Sequence, residues 1–137
     1  MRPSETRSLF SDPHLSSRCK RGAGLAARDR IGTRHADPEA ERRADDQYRS
    51  GEKLYAASCA QCHGADLRGS KEGPPLLHRV YEPSHHGDAA FQIAVKFGSR
   101  QHHWNFGDMK PVPGVSADDV AHITAFVRTE QRKAGIR

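Results

Sequence analysis

The sequence predicts an all-α domain, three main helices joined by long loops that wrap around a group other than the chain's own side chains. Three observations predict it. Apolar residues recur at helical spacing in three separate segments, and no segment of any length reads as a strand. Only 35% of the 137 residues are apolar, too few for a large core built from side chains alone. The connections 64–87 and 99–115 are long and rich in Gly, Pro and His, a length that a compact domain seldom leaves unfilled.

Residues 1–45 stand apart from the rest. They carry nine Arg but one Lys, few large apolar residues and no apolar period, so ordering them would cost more entropy than their burial returns. The segment is therefore expected to be disordered, or to be spurious, the product of a start read in the wrong frame. It has no apolar stretch of a secretory signal, none ahead of Cys19 for a lipoprotein signal, and no support for a twin-arginine signal at Arg42-Arg43. Cys19 reads as a free thiol, with no partner cysteine near it. The domain is expected to span 46–137. Lys and Arg exceed Asp and Glu by 22 to 17, a mild and dispersed excess that gives no nucleic-acid footprint. No apolar run approaches the roughly 20 residues of a membrane span.

The first helix is expected over 46–57, where Gly51, Leu54, Tyr55 and Ser58 fall on one narrow face and lead into Cys59. The second, 88–97, has Asp88 as N-cap, Phe91, Ala94 and Val95 on one side, and Gly98 just past its end. The third runs from the Ser116/Asp119 capping box to Lys133. It places Val120, Ile123 and Val127 on a stripe flanked by Phe126.

Chemistry enters at "CAQCHG", residues 59–64. Two cysteines separated by two residues can hold zinc, form a redox disulfide or receive a haem. Zinc needs about four ligands and would require His85-His86 or His102-His103 to complete the set. A dithiol motif needs a strand ahead of it, whereas the preceding segment is helical. Haem uses every residue: Cys59 and Cys62 each add across one vinyl group, and His63 is set under the iron as an axial base. Haem is the preferred reading, with zinc and the dithiol as alternatives.

"GEKLYAASCAQCH", "GPPLL", "GDMKPVPG" and "ITAFVR" together make residues 51–130 resemble the class I c-type cytochromes. The resemblance implies that Gly51 lets the first and last helices cross closely, with Ile123, Phe126 and Val127 packed on Leu54 and Tyr55. It implies that the Pro74 carbonyl accepts a hydrogen bond from His63 and fixes its tautomer. It makes Met109 the distal ligand, in preference to His102 or His103. Only Met1 competes among methionines, Gly107 loosens the approach, and Pro111 and Pro113 stiffen the segment beyond.

A His63/Met109 pair fills both axial positions and leaves the iron to move one electron, so the chain reads as a carrier and not an enzyme. One haem c per chain is expected, with a largely unfolded apo form. Trp104 reads as a wall of the crevice whose indole N–H reaches a propionate, and Arg100 as a second propionate partner. His85, His86, His102 and His103 read as solvated loop residues or as copper or zinc ligands. Lys71, Lys96 and Lys110 read as ordinary surface lysines or as guides for an acidic partner. A redox partner is expected at the haem edge, near Ala60, Gln61, Lys110, Val112 and Pro113. The protein is expected to be a periplasmic or otherwise extracytoplasmic monomer that shuttles electrons between respiratory or oxidoreductase partners. The alternatives are a dedicated haem c subunit of one oxidoreductase, such as a multicopper oxidase, or a haem-free zinc- or copper-binding module.

Overall fold

Asp37 and Pro38 start the first helix in a computed structural model that describes residues 37–137. Helix α1, Pro38–Ser58, has Asp37 as N-cap, its carboxylate accepting from Glu39 N at 3.0 Å, and proline at the first helical position. The expected start at 46 is thus corrected upstream, and 38–45 are helical where disorder was expected. The signal is the local Asp-Pro-Glu sequence. These residues are exposed, and the helix there is supported along its own face by Arg43–Glu39 at 3.3 Å and Arg49–Asp45 at 3.0 Å, each worth a few tenths of a kcal/mol. Residues 1–36, with Cys19, lie outside the described part.

Cys59 ends α1 and opens the short helix α2, Ala60–His63. A single 3-10 turn, Arg79–Tyr81, interrupts the loop that follows, and helices α3, Asp88–Phe97, and α4, Ala117–Lys133, complete the order. Among the described residues there is no strand, only an isolated antiparallel bridge between Ser99 and Met109. Helix α4 begins at the expected capping box: Ser116 Oγ accepts from Asp119 N at 3.1 Å, and Ser116 N donates to Asp119 Oδ2 at 3.0 Å. Helix α3 has the expected limits but a different cap. Gly87 occupies that position, and the Asp88 carboxylate instead accepts from Arg128 Nε at 2.8 Å.

The main packing is α1 against α4, and α3 also packs on α4. Tyr55, Ile123, Phe126 and Val127 are buried at the crossing, with Leu67 and Leu76 from the following loop, and Leu54 and Tyr48 lie half-buried against them. The Tyr55 and Phe126 rings stand 5.4 Å apart. Gly51 sets the distance between the helices, because a Cβ there would lie 2.0 Å from the His122 carbonyl oxygen and 2.9 Å from Phe126 Cβ. Alanine would add about 1 kcal/mol of helix propensity, yet the contact is with backbone and cannot be turned away. Gly51→Ala is therefore expected to destabilise the protein by a net ~2 kcal/mol, the overpacking cost outweighing the propensity gain. Denaturant unfolding of the haem-loaded protein checks it, and a variant as stable as the parent would show that the helices can part without loss.

Candidate functional site

The loop after α2 folds back onto it. Gly73 packs so closely that a Cβ would sit 2.9 Å from the Cys62 carbonyl oxygen, and Ser70 Oγ donates to that oxygen at 2.7 Å. Tyr55 Oη donates to the Gly64 carbonyl at 2.6 Å, which ties the turn to the α1–α4 core. The Pro74 carbonyl is thereby carried to His63, and His63 Nδ1 donates to it at 2.9 Å. A carbonyl can only accept, so Nδ1 holds the proton. Burial pushes the His63 ring below the ordinary histidine value, against the smaller opposing effect of that bond. The ring is neutral at neutral pH and its Nε2 carries a free lone pair, the form a metal requires.

Farther along, Met109 is fixed by its backbone. Met109 N donates to the Ser99 carbonyl at 2.9 Å and Ser99 N to the Met109 carbonyl at 3.0 Å, just past the end of α3. Gly98, at φ 79°, permits this approach, since a Cβ there would lie 2.5 Å from the Met109 oxygen. Neither the proline segment nor Gly107 alone positions Met109; the two-bond bridge to Ser99 does, and no pattern in the sequence announced it.

His63 and Met109 line one cavity of about 350 Å³, walled also by Cys59, Pro74, Arg100 and Trp104. Six of the seven expected site residues thus meet at one place; Cys62 is exposed on α2 and outside that lining. Helix α3 supplies much of the apolar wall, through Phe91, Ile93, Ala94 and Val95. Trp104 Nε1 is a buried donor near the Tyr81 hydroxyl that makes no well-formed hydrogen bond among the described residues, and its ring meets His78 edge-on at 4.9 Å. Such an orphan calls for an acceptor. A haem fits this cavity: an apolar slot, a free imidazole lone pair, a thioether, a thiol at the wall and a donor suited to a propionate carboxylate.

The competing chemistries fit less well. Burial, with a lesser contribution from Cys62, pushes the Cys59 thiol up to about 11, whereas reactive dithiols are held low. The histidine pairs gather with one another and not with the thiols: His85, His86 and His103 cluster together with no cysteine in the group. The expectation that either pair might complete a zinc site with Cys59 and Cys62 is corrected on that ground.

Sequence reasoning missed Arg128. Its guanidinium is 7% exposed and bonds Asp88, the Tyr81 carbonyl at 2.6 Å, Gln131 Oε1 at 2.7 Å and the His86 carbonyl. A lone arginine on a helix face carries no signal that it will anchor a loop.

A family model described as cytochrome c matches residues 48–131. Over 80 residues, 56% of this chain, the sequence is 69% identical to the cbb3-type cytochrome c oxidase subunit CcoP of Rubrivivax gelatinosus. The match spans 24% of that relative's length. No solved structure gives a significant match.

Proposed function

The chain belongs to the cytochrome c family and carries electrons on haem c, and from that premise we propose that one haem is held in the cavity between α3 and the loops, tethered by Cys59 and Cys62. The observation that carries the reading is the common cavity of His63, with its Nδ1 proton committed to Pro74, and Met109. Bound there, the haem supplies a one-electron iron couple. His63 Nε2 and the Met109 thioether would hold the iron, and with both donors engaged neither oxygen nor substrate would reach it. The chain is a carrier and has no catalytic chemistry of its own. Apolar residues of α3 exclude water, which penalises the extra charge of the oxidised state and raises the potential. Trp104 Nε1 would donate to a propionate, with Arg100 as the second partner.

The redox partner meets the haem edge near Ala60, Gln61, Lys110, Val112 and Pro113. Similarity to an oxidase subunit favours a cytochrome c oxidase as that partner, and nothing favours a multicopper oxidase. Covalent attachment of this kind would put the protein on the outer side of the bacterial membrane. Among the described residues no helix is long and apolar enough to cross one. We take the haem-bearing unit as 46–137, with one copy per functional unit.

The test is the reduced spectrum of protein matured with haem, before and after acid-acetone extraction. Sharp c-type bands that survive extraction, at one haem per chain, are expected; a colourless or extractable product would end the reading. On the same preparation, Lys110→Glu should lower the association rate with an acidic oxidase partner by roughly tenfold at low salt, with the potential unchanged. Equal rates would remove that surface.

A further inference from the structure

Two His-His pairs from separate loops meet at the rim of the cavity. His85 and His86 lie in the turn after the 3-10 turn, where Arg128 holds the Tyr81 and His86 carbonyls. His102 and His103 lie in the hairpin closed by the Ser99–Met109 bridge. That hairpin is braced by Gln101 N donating to Asp108 Oδ1 at 2.9 Å and Gly107 N to Gln101 Oε1 at 2.6 Å. Both loops are held from within.

The ring nitrogens approach in two contacts, His85 Nε2 to His103 Nε2 at 3.1 Å and His86 Nε2 to His102 Nε2 at 3.3 Å. The second contact is informative. His86 Nδ1 donates to the Val80 carbonyl at 2.6 Å and His102 Nδ1 to the Arg100 carbonyl at 2.7 Å. With both Nδ1 protons so committed, both Nε2 atoms of the neutral rings present lone pairs to each other. Two acceptors at 3.3 Å repel unless a proton or a cation lies between them. One shared proton can serve one pair, yet ligand nitrogens of His85, His86 and His103 all fall within 4.8 Å of one another, a group that His102 adjoins through His86 without belonging to it. Tetrahedral zinc with Zn–N near 2.0–2.1 Å has ligand–ligand edges of about 3.3–3.4 Å, close to both contacts. The carbonyls of Val80 and Arg100 orient the rings as the outer partners of metal-bound histidines do.

We propose that His85, His86 and His103 bind one divalent cation of the zinc class at the mouth of the cavity, with His102 beside His86 at its edge. An all-imidazole set suits zinc, copper or nickel and not calcium or magnesium, which take oxygen. The Arg128 guanidinium contacts the His86 carbonyl, on the backbone side of that residue, and its charge is shared with Asp88. The site is distinct from the axial pair and uses neither His63 nor Met109.

The test is calorimetric titration of untagged, haem-loaded protein with zinc chloride, beside the double variant His85→Gln/His103→Gln. Both side chains are exposed, so the variant should keep its fold and its haem spectrum. One zinc per chain at micromolar affinity or tighter is expected, weakened in the variant by at least the ~100-fold that even outer-partner losses cost a metal site. No stoichiometric binding, or equal affinity in the variant, overturns the proposal. Zinc absorption spectroscopy of the parent gives a second reading: three or four imidazole nitrogens at about 2.0 Å are expected, and a shell with fewer than three overturns it. Loss of the axial haem bands in a His102→Gln or His103→Gln variant also overturns it, because those rings would then belong to the iron.

Discussion

Replacing Cys59 and Cys62 together with alanine should give a chain that releases its haem to acid acetone and loses most of its helix. Cys59 stands where α1 passes into α2, half-buried against the core, and the same short helix carries His63. With the proposed attachment, both tethers and the placement of the axial imidazole would fail together. The energetic argument is the size of the cavity. At ~24 cal/mol per Å³ an unfilled apolar volume of about 350 Å³ would cost roughly 8 kcal/mol, an upper bound because water enters from the mouth. A whole domain of this size is stable by only about 5–15 kcal/mol. The eight buried apolar core residues among the described residues have little reserve against such a term. Either single variant keeps one thioether and should keep more helix than the pair. Far-ultraviolet circular dichroism with haem extraction checks the result. A helical, cooperatively unfolding double variant without haem would instead support the metal-binding interaction module.

Helix α4 was legible because its information is local: the Ser116/Asp119 box fixes its start and the stripe of Val120, Ile123 and Val127 its buried face. The end of α3 was legible for the same reason, Gly98 being needed at positive φ. Its cap was not, because Arg128 lies forty residues away and takes the Asp88 carboxylate. The start of α1 was written in Asp37-Pro38-Glu39, but the arginine-rich composition around it pointed to disorder, and a windowed composition outweighed a three-residue signal. The candidate site divides in the same way. "CAQCH" and "GPPLL" bring their residues together over a short stretch, and the His63–Pro74 bond could be expected from them. The four-histidine rim depends on two loops meeting, and sequence alone shows two unrelated His-His pairs.

Met109→Leu should lower the reduction potential by on the order of 0.1 V or more, within the ~0.8 V that axial ligands span. It should also abolish the weak long-wavelength band of sulfur-bound ferric iron and open the sixth position to added ligands. Leucine fills nearly the same volume, and such exchanges usually cost under ~1.5 kcal/mol, so the fold should persist. The two backbone bonds between residues 99 and 109 do not depend on the side chain and keep the substituted residue at the same wall. What is removed is the thioether alone. The rivals are His102 and His103, which also line the cavity. Their rings are turned toward other partners, His102 Nδ1 to the Arg100 carbonyl and the Nε2 atoms of His102 and His103 to the His86 and His85 rings. Reaching the iron would require turning those rings out of the histidine cluster, whereas Met109 has no competing side-chain bond among the described residues. Met109→Leu that keeps its potential and six-coordinate spectrum, while His102→Ala or His103→Ala loses them, would make the centre bis-histidine and return Met109 to the apolar wall.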